Sequence, residues 1–143
     1  METTVFEEFL KSDDTLQVYT DDALIFSSRR KGIAALLEYI NELATNYQKV
    51  VIFDKVTGNA AALLAIKAKC REVHSPVGSQ SAIKTLDKYG IRYNISNIVP
   101  YIQQKNNEEM CPMEKLSLNK TPEEFYEILR ITANKTDGMI LYK

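Results

Sequence analysis

Between Val50 and Cys70 the chain passes from an apolar tetrad, Val50-Val51-Ile52-Phe53, through a short polar junction into Ala60-Ala61-Ala62-Leu63-Leu64-Ala65-Ile66. A strand that is apolar at consecutive positions must be covered on both faces. A helix with no polar side until Lys67 must be buried nearly all round. Both elements therefore belong at the centre of a layered α/β domain. The polar residues between them, Asp54-Lys55 and Thr57-Gly58-Asn59, sit where such a core has no use for polarity, so this junction is the first candidate site.

A chain of 143 residues, 45% of them apolar, can bury one core but not two, and a single domain over residues 1–143 is expected. The 18 basic and 19 acidic residues leave a net charge of −1. That balance gives no long-range field to draw in nucleic acid or an anionic membrane, so the expected partner is a small molecule or another protein, a second copy included. The first residues carry Glu2, Glu7 and Glu8 where a secretory signal would be basic, and no apolar run reaches membrane-spanning length. A cytoplasmic protein is expected, with Cys70 and Cys111 reduced.

Local patterns divide the chain into alternating elements. Val5, Phe6, Phe9 and Leu10 form a helical stripe that ends at Ser12-Asp13-Asp14. Leu16–Thr20 and Ala23–Phe26 are β-rich runs split by Asp21-Asp22, a hairpin turn. Ile33, Leu36, Leu37, Ile40 and Leu43 recur at helical spacing. After the central strand, Thr57 is the predicted cap of the alanine-rich helix. A short strand around Glu72–His74 precedes a helix capped by Ser79 and stopped by Gly90, and Ile91–Ile95 alternates as a strand near a sheet edge. Residues 96–109 read as a long irregular loop, of the kind that serves as a lid or binding loop. Thr121-Pro122-Glu123-Glu124 opens the last helix with a capping box, and Met139–Tyr142 is a candidate edge strand. Helices alternating with strands require crossovers, which favours a largely parallel sheet with helices on both faces.

Ligands in such sheets collect where strands end and helices begin. Thr57, Gly58 and Asn59 occupy that position: Gly58 allows close approach to the backbone, and the alanines leave room beside it. The glycine pattern of phosphate loops and dinucleotide folds is missing. In Cys111-Pro112-Met113-Glu114-Lys115 the proline follows the cysteine as it would at a helix start, so that backbone N–H groups and Lys115 favour the thiolate, although a packed core cysteine fits the same residues. The lone histidine, His74, reads most simply as a structural residue. Cys70 and His74 lie roughly 10 Å apart along one strand, too far for one zinc ion, and neither a metal nor a cofactor is expected. The Arg29-Arg30-Lys31 turn is equally a phosphate contact or a solvated loop.

Several of these segments together resemble a mainly bacterial family labelled domain of unknown function 1893, whose members have the cytidine-deaminase-like fold. The resemblance runs from about Leu16 to Arg130. It rests on Lys31-Gly32-Ile33, Asp54 to Leu64, Ser79 with Ala82-Ile83, Tyr89-Gly90-Ile91, Val99-Pro100 and, most specifically, Met110 to Lys115. It implies a three-layer α/β/α sandwich around a mixed sheet that begins with an antiparallel hairpin, and it nominates Asp54, Lys55, Gly58, Cys111 and Glu114. Zinc deaminases carry His/Cys-x-Glu at one helix start and Pro-Cys-x-x-Cys at the next. By element order those starts correspond to Arg30-Lys31-Gly32 and Thr57-Gly58-Asn59, and neither motif is present.

The resulting expectation is a metal-free, deaminase-like domain that binds a small polar or anionic, nucleotide-related metabolite through Thr57, Gly58, Asn59, Glu114 and Lys115. It requires the Cys111 loop to fold back over the Gly58 cap. Two alternatives remain: a thiol enzyme with Cys111 as nucleophile and Asp54, Lys55 or Glu114 handling protons, or a non-catalytic interaction module.

Overall fold

Asp21 and Asp22 both adopt left-handed backbone angles, φ 47° and 70°, and close the hairpin between β1 (Leu16–Thr20) and β2 (Ala23–Ser28). Two successive positive φ values match the twist of paired strands, and Asp tolerates them better than most side chains. The computed structural model describes residues 2–104 and 109–136. α1 (Glu2–Lys11) precedes the hairpin; α2 (Ala34–Glu42), a short 3-10 turn and β3 (Val50–Asp54) follow it. Then come α3 (Asn59–Lys67), β4 (Cys70–Ser79), α4 (Gln80–Lys88), β5 (Arg92–Val99), α5 (Pro112–Ser117) and α6 (Pro122–Thr136).

The five strands form one mixed sheet in the order β2-β1-β3-β4-β5. β1 runs antiparallel to both β2 and β3, while β3, β4 and β5 are parallel. Helices α3 and α4 supply the crossovers that parallel pairs require. Alternation along β3 divides the core between two faces. Val50 and Ile52 join α2, α3, α4 and α6 in the main core, whereas Val51 and Phe53 meet Phe6 and Phe9 of α1 on the opposite side. Helices thus cover both faces, but unequally: among the described residues α1 alone serves the second. α3 touches α2, α4, α5 and α6 as well as the sheet, which explains why Asn59 to Ala65 are all buried.

Two predicted caps form as expected. The Ser79 side chain accepts from Ala82 N at 3.1 Å, and Thr121 and Glu124 exchange bonds of 2.9 and 3.1 Å. Gly90 ends α4 with φ +70°. Three local expectations need correction. The cap of α3 is Gly58, not Thr57, because Thr57 has an extended role: its N–H donates to Val77 O at 2.9 Å and its carbonyl accepts from Ser79 N at 3.1 Å. β4 covers Cys70–Ser79, not three residues, and passes through Pro76. Pairing with β3 ends at Phe53 opposite His74, so the missing N–H of Pro76 removes no bond to β3 while pairing with β5 continues to Val99. β5 in turn takes up residues 96–99 of the expected loop. The expected strand at Met139–Tyr142 lies outside the described residues.

Candidate functional site

After β5 the described residues on either side of 105–108 pair with one another. Gln103 bridges Met110 in antiparallel fashion, Gln104 N donates to Glu109 O at 2.8 Å, and Cys111 N donates to Ile102 O at 2.7 Å. This pairing delivers Cys111 to the start of α5, where it is the N-cap residue, with Pro112 in the first turn. α5 then carries Glu114 inward until it is only 2% exposed. One carboxylate oxygen accepts from Asn59 N at 2.5 Å and the other from Ile102 N at 2.9 Å. The first turn of α3 is therefore capped by a side chain from another helix. Negative charge at that position also suits the helix dipole.

Gly58 is required by proximity, since its φ of −86° suits any residue. A Cβ there would lie 2.7 Å from Glu114 Oε1 and 2.7 Å from Ile102 Cγ1. Asn59, 3% exposed, completes the junction: its amide donates to Ser117 O and Oγ at 3.0 Å each, and its carbonyl accepts from the Thr85 hydroxyl. Thr57 is buried, and its hydroxyl makes no hydrogen bond among the described residues.

Between these parts lies a cavity of about 160 Å³. Its wall brings together three helix starts: Gly32 and Ile33 before α2, Gly58, Ala60 and Ala61 at α3, and Cys111, Met113 and Glu114 at α5. Val56 and Ile102 close the remaining sides, so the lining is apolar apart from the thiol and the carboxylate. The loop bearing Cys111 does fold over the Gly58 cap. Among the residues singled out from the sequence, Gly58, Cys111 and Glu114 converge on this cavity, while Thr57 and Asn59 build its frame from behind.

Asp54, Lys55 and Lys115 do not line it. Lys115 is exposed on the outer side of α5. Lys55 points to the opposite face of the sheet, donating to Ser12 O at 2.8 Å, with its ammonium 4.8 Å above the Phe9 ring. Asp54 ends β3 opposite Leu16. Desolvation pushes its carboxyl up to about 7, against the N–H groups of Val56 and Lys55, which favour the charged form. His74 packs between Phe6 and Phe53, at ring distances of 5.7 and 5.3 Å, and its Nε2 is 3.7 Å from Glu72. It too belongs to the α1 face. Cys70 is core, its thiol pushed up to about 12 by burial. Sequence reasoning missed Ile33, Val56, Ile102 and Met113 as wall residues; apolar side chains carry no local sign that they face a cavity and not the core.

The zinc site of a deaminase can be tested on these residues. The helix starts that would carry its ligands hold Gly32-Ile33 and Gly58-Asn59, and both oxygens of Glu114 are engaged by backbone N–H groups. Among the described residues no three His, Cys, Asp or Glu side chains are grouped to hold a metal ion. The residues do not fit zinc. Nor is any helix among them long and apolar enough to cross a membrane.

Residues 5–132 match the family model described as domain of unknown function (DUF1893). The fold is similar to the crystal structure of a DUF1893 family protein from Thermotoga maritima, with TM-score 0.83 and 30% sequence identity over 92% of this chain and 88% of that one. No curated protein matches the sequence.

Proposed function

The chain belongs to the DUF1893 family, and we propose that its fold is a deaminase-like scaffold, working without zinc, that receives one neutral, ring-sized heterocycle between the starts of α2, α3 and α5. The observation that carries this reading is the apolar cavity of about 160 Å³ with a buried carboxylate in its wall. A cavity of about 150 Å³ is enough for a benzene ring. Each Glu114 oxygen accepts one backbone N–H and keeps a second lone pair. A ring N–H or exocyclic amine therefore has an acceptor, while flat apolar walls from Ala60, Ala61 and Ile102 cover its faces. An anion is a poorer occupant of this cavity. The first N–H of α3 is already matched to Glu114, and a second negative charge would meet that carboxylate in a weakly screened site. Of the small polar and anionic ligands expected from the sequence, a neutral nucleobase-like ring has the better physical support.

The test is a thermal-shift and saturation-transfer NMR series with adenine, hypoxanthine, cytosine, uracil and their nucleosides. At least one should stabilise the wild type saturably. Cys111→Phe, at a half-buried wall position, should fold and lose the effect. A series in which nothing binds, or binding that survives the blocked cavity, would overturn the reading.

A second reading rests on Cys111 itself, whose position in the wall suits a nucleophile attacking a bound ligand. With Asp54 and Lys55 turned elsewhere, Glu114 is the acid–base group left beside it. Iodoacetamide labelling no faster than that of free cysteine, and indifferent to a bound ring, would remove this reading.

A further inference from the structure

On the other side of the first turn of α3 lies a second cavity, of about 330 Å³, between the end of α4 and the connection from α5 to α6. Its lining is unlike that of the first. Lys84 and Lys88, one helical turn apart on α4, face it together with Lys120 from the connection. None of its lining residues is acidic, and none of the three lysines forms an ion pair among the described residues. In a chain of net charge −1 this is a local concentration of one sign. A concave surface of that kind focuses its field and raises the local concentration of counter-ions.

The hydrogen bonds sort the remaining polar groups. The Thr85 hydroxyl is committed inward, to Asn59 Oδ1. The Thr121 hydroxyl oxygen accepts from Glu124 N at 3.1 Å, which leaves its own proton to donate. Glu124, the carboxylate that shares the cap with Thr121, has an oxygen engaged by Thr121 N at 2.9 Å. Asn119, held at φ +62° in the same connection, adds an amide to the wall. Three ammonium groups, one of them 5.7 Å from the Tyr89 ring, a hydroxyl proton and an amide make a lining rich in donors and without a carboxylate.

We infer that this lysine-lined cavity is a binding site for a multiply charged anion of the phosphate-ester or diphosphate class, separate from the cavity at Cys111. The two sites share a frame. Thr85 in the wall of one bonds Asn59, and the Asn59 backbone N–H bonds Glu114 in the wall of the other. The inference does not depend on what the apolar cavity receives, because α5 and the first turn of α3 stand between them.

Inorganic pyrophosphate is the probe, titrated calorimetrically into the full chain at low ionic strength. Saturable binding at one site is expected, weakened about ten-fold in Lys84→Gln/Lys88→Gln and steeply reduced by added salt. These lysines are exposed on α4, so the variant should fold. Two controls locate the site. Lys49→Gln/Lys69→Gln removes two exposed lysines that do not line the cavity and should leave binding unchanged, as should Cys111→Phe. Absence of saturable binding, equal loss in both lysine pairs, or loss in Cys111→Phe would overturn the inference.

Discussion

Lys55 reaches across the sheet to Ser12 at the end of α1, whereas Gly58, three residues later, lies against Glu114 and Ile102 on the side of the helical layer. Both belong to one polar junction in the sequence, yet they do different work. The Asp54–Lys55 half continues β3, so its side chains alternate: Lys55 passes to the α1 face, while Asp54 shares the face of Ile52 and its partner Leu16. The Gly58–Asn59 half begins α3, and its backbone donors turn toward the loop that follows β5. Neighbouring polar residues at a strand–helix junction therefore do not make one site; the sheet divides them.

The strongest test of this division removes the buried carboxylate. Glu114→Ala leaves the buried N–H of Asn59 and the partly buried N–H of Ile102 without their acceptor. Two charge-assisted bonds and their desolvation penalty amount to about 4 kcal/mol. The urea unfolding midpoint should fall accordingly, with Glu114→Gln intermediate because an amide retains one acceptor oxygen. Next in size is Gly58→Ala, whose Cβ cannot fit 2.7 Å from both Glu114 and Ile102 without pushing α5 away. Overpacking of this kind costs about 2–3 kcal/mol. A Gly58→Ala protein as stable as wild type would mean that the α5 loop does not press on the α3 cap, and the division would fail on that side.

Local rules made much of this legible in the sequence. The Asp21-Asp22 hairpin, the Ser79 and Thr121 caps and the stop at Gly90 depend on residues within a few positions of one another. The closeness of Cys111 to Gly58 was legible only as a wager on loop and helix starts. The role of Glu114 was not legible, because it caps a helix whose first residue lies 55 positions earlier. Thr57 misleads for a related reason. It has the right side chain for a cap, but the long-range bridge to Gly78 holds its backbone extended and moves the cap to Gly58. Apolar wall residues such as Ile102 and Met113 were invisible, since burial against a cavity and burial against the core require the same chemistry.

The other half of the junction gives a pH signature. With its carboxyl pushed up to about 7 by desolvation, Asp54 holds a proton in the folded chain that the unfolded chain releases near pH 4. Between those values the native state binds more protons, so this residue makes stability fall as pH rises from about 4 to about 7, and has no further effect above. Part of the Asp54 surface meets solvent, which holds the effect to about 1–2 kcal/mol. Asp54→Asn, which keeps the acceptor for Val56 N, should flatten that slope in denaturation curves taken across the range and stabilise the protein at pH 8. A slope unchanged in Asp54→Asn would mean that the strand end is as well solvated as any surface turn.

The smallest effect separates the two halves most cleanly. Lys55→Ala loses one amine-to-carbonyl bond, to Ser12 O, and the cation above Phe9, together about 1 kcal/mol at a partly exposed position. Because these contacts tie down the end of α1, amide exchange should quicken in α1 and at its Phe53 contact. Protection of Asn59 and Ile102, whose N–H groups Glu114 holds, should stay as it was. If Lys55→Ala instead loosened Asn59 and Ile102 as much as α1, the junction would be acting as one mechanical unit, and Lys55 would have to be counted as a positioning residue for the cavity despite facing away from it.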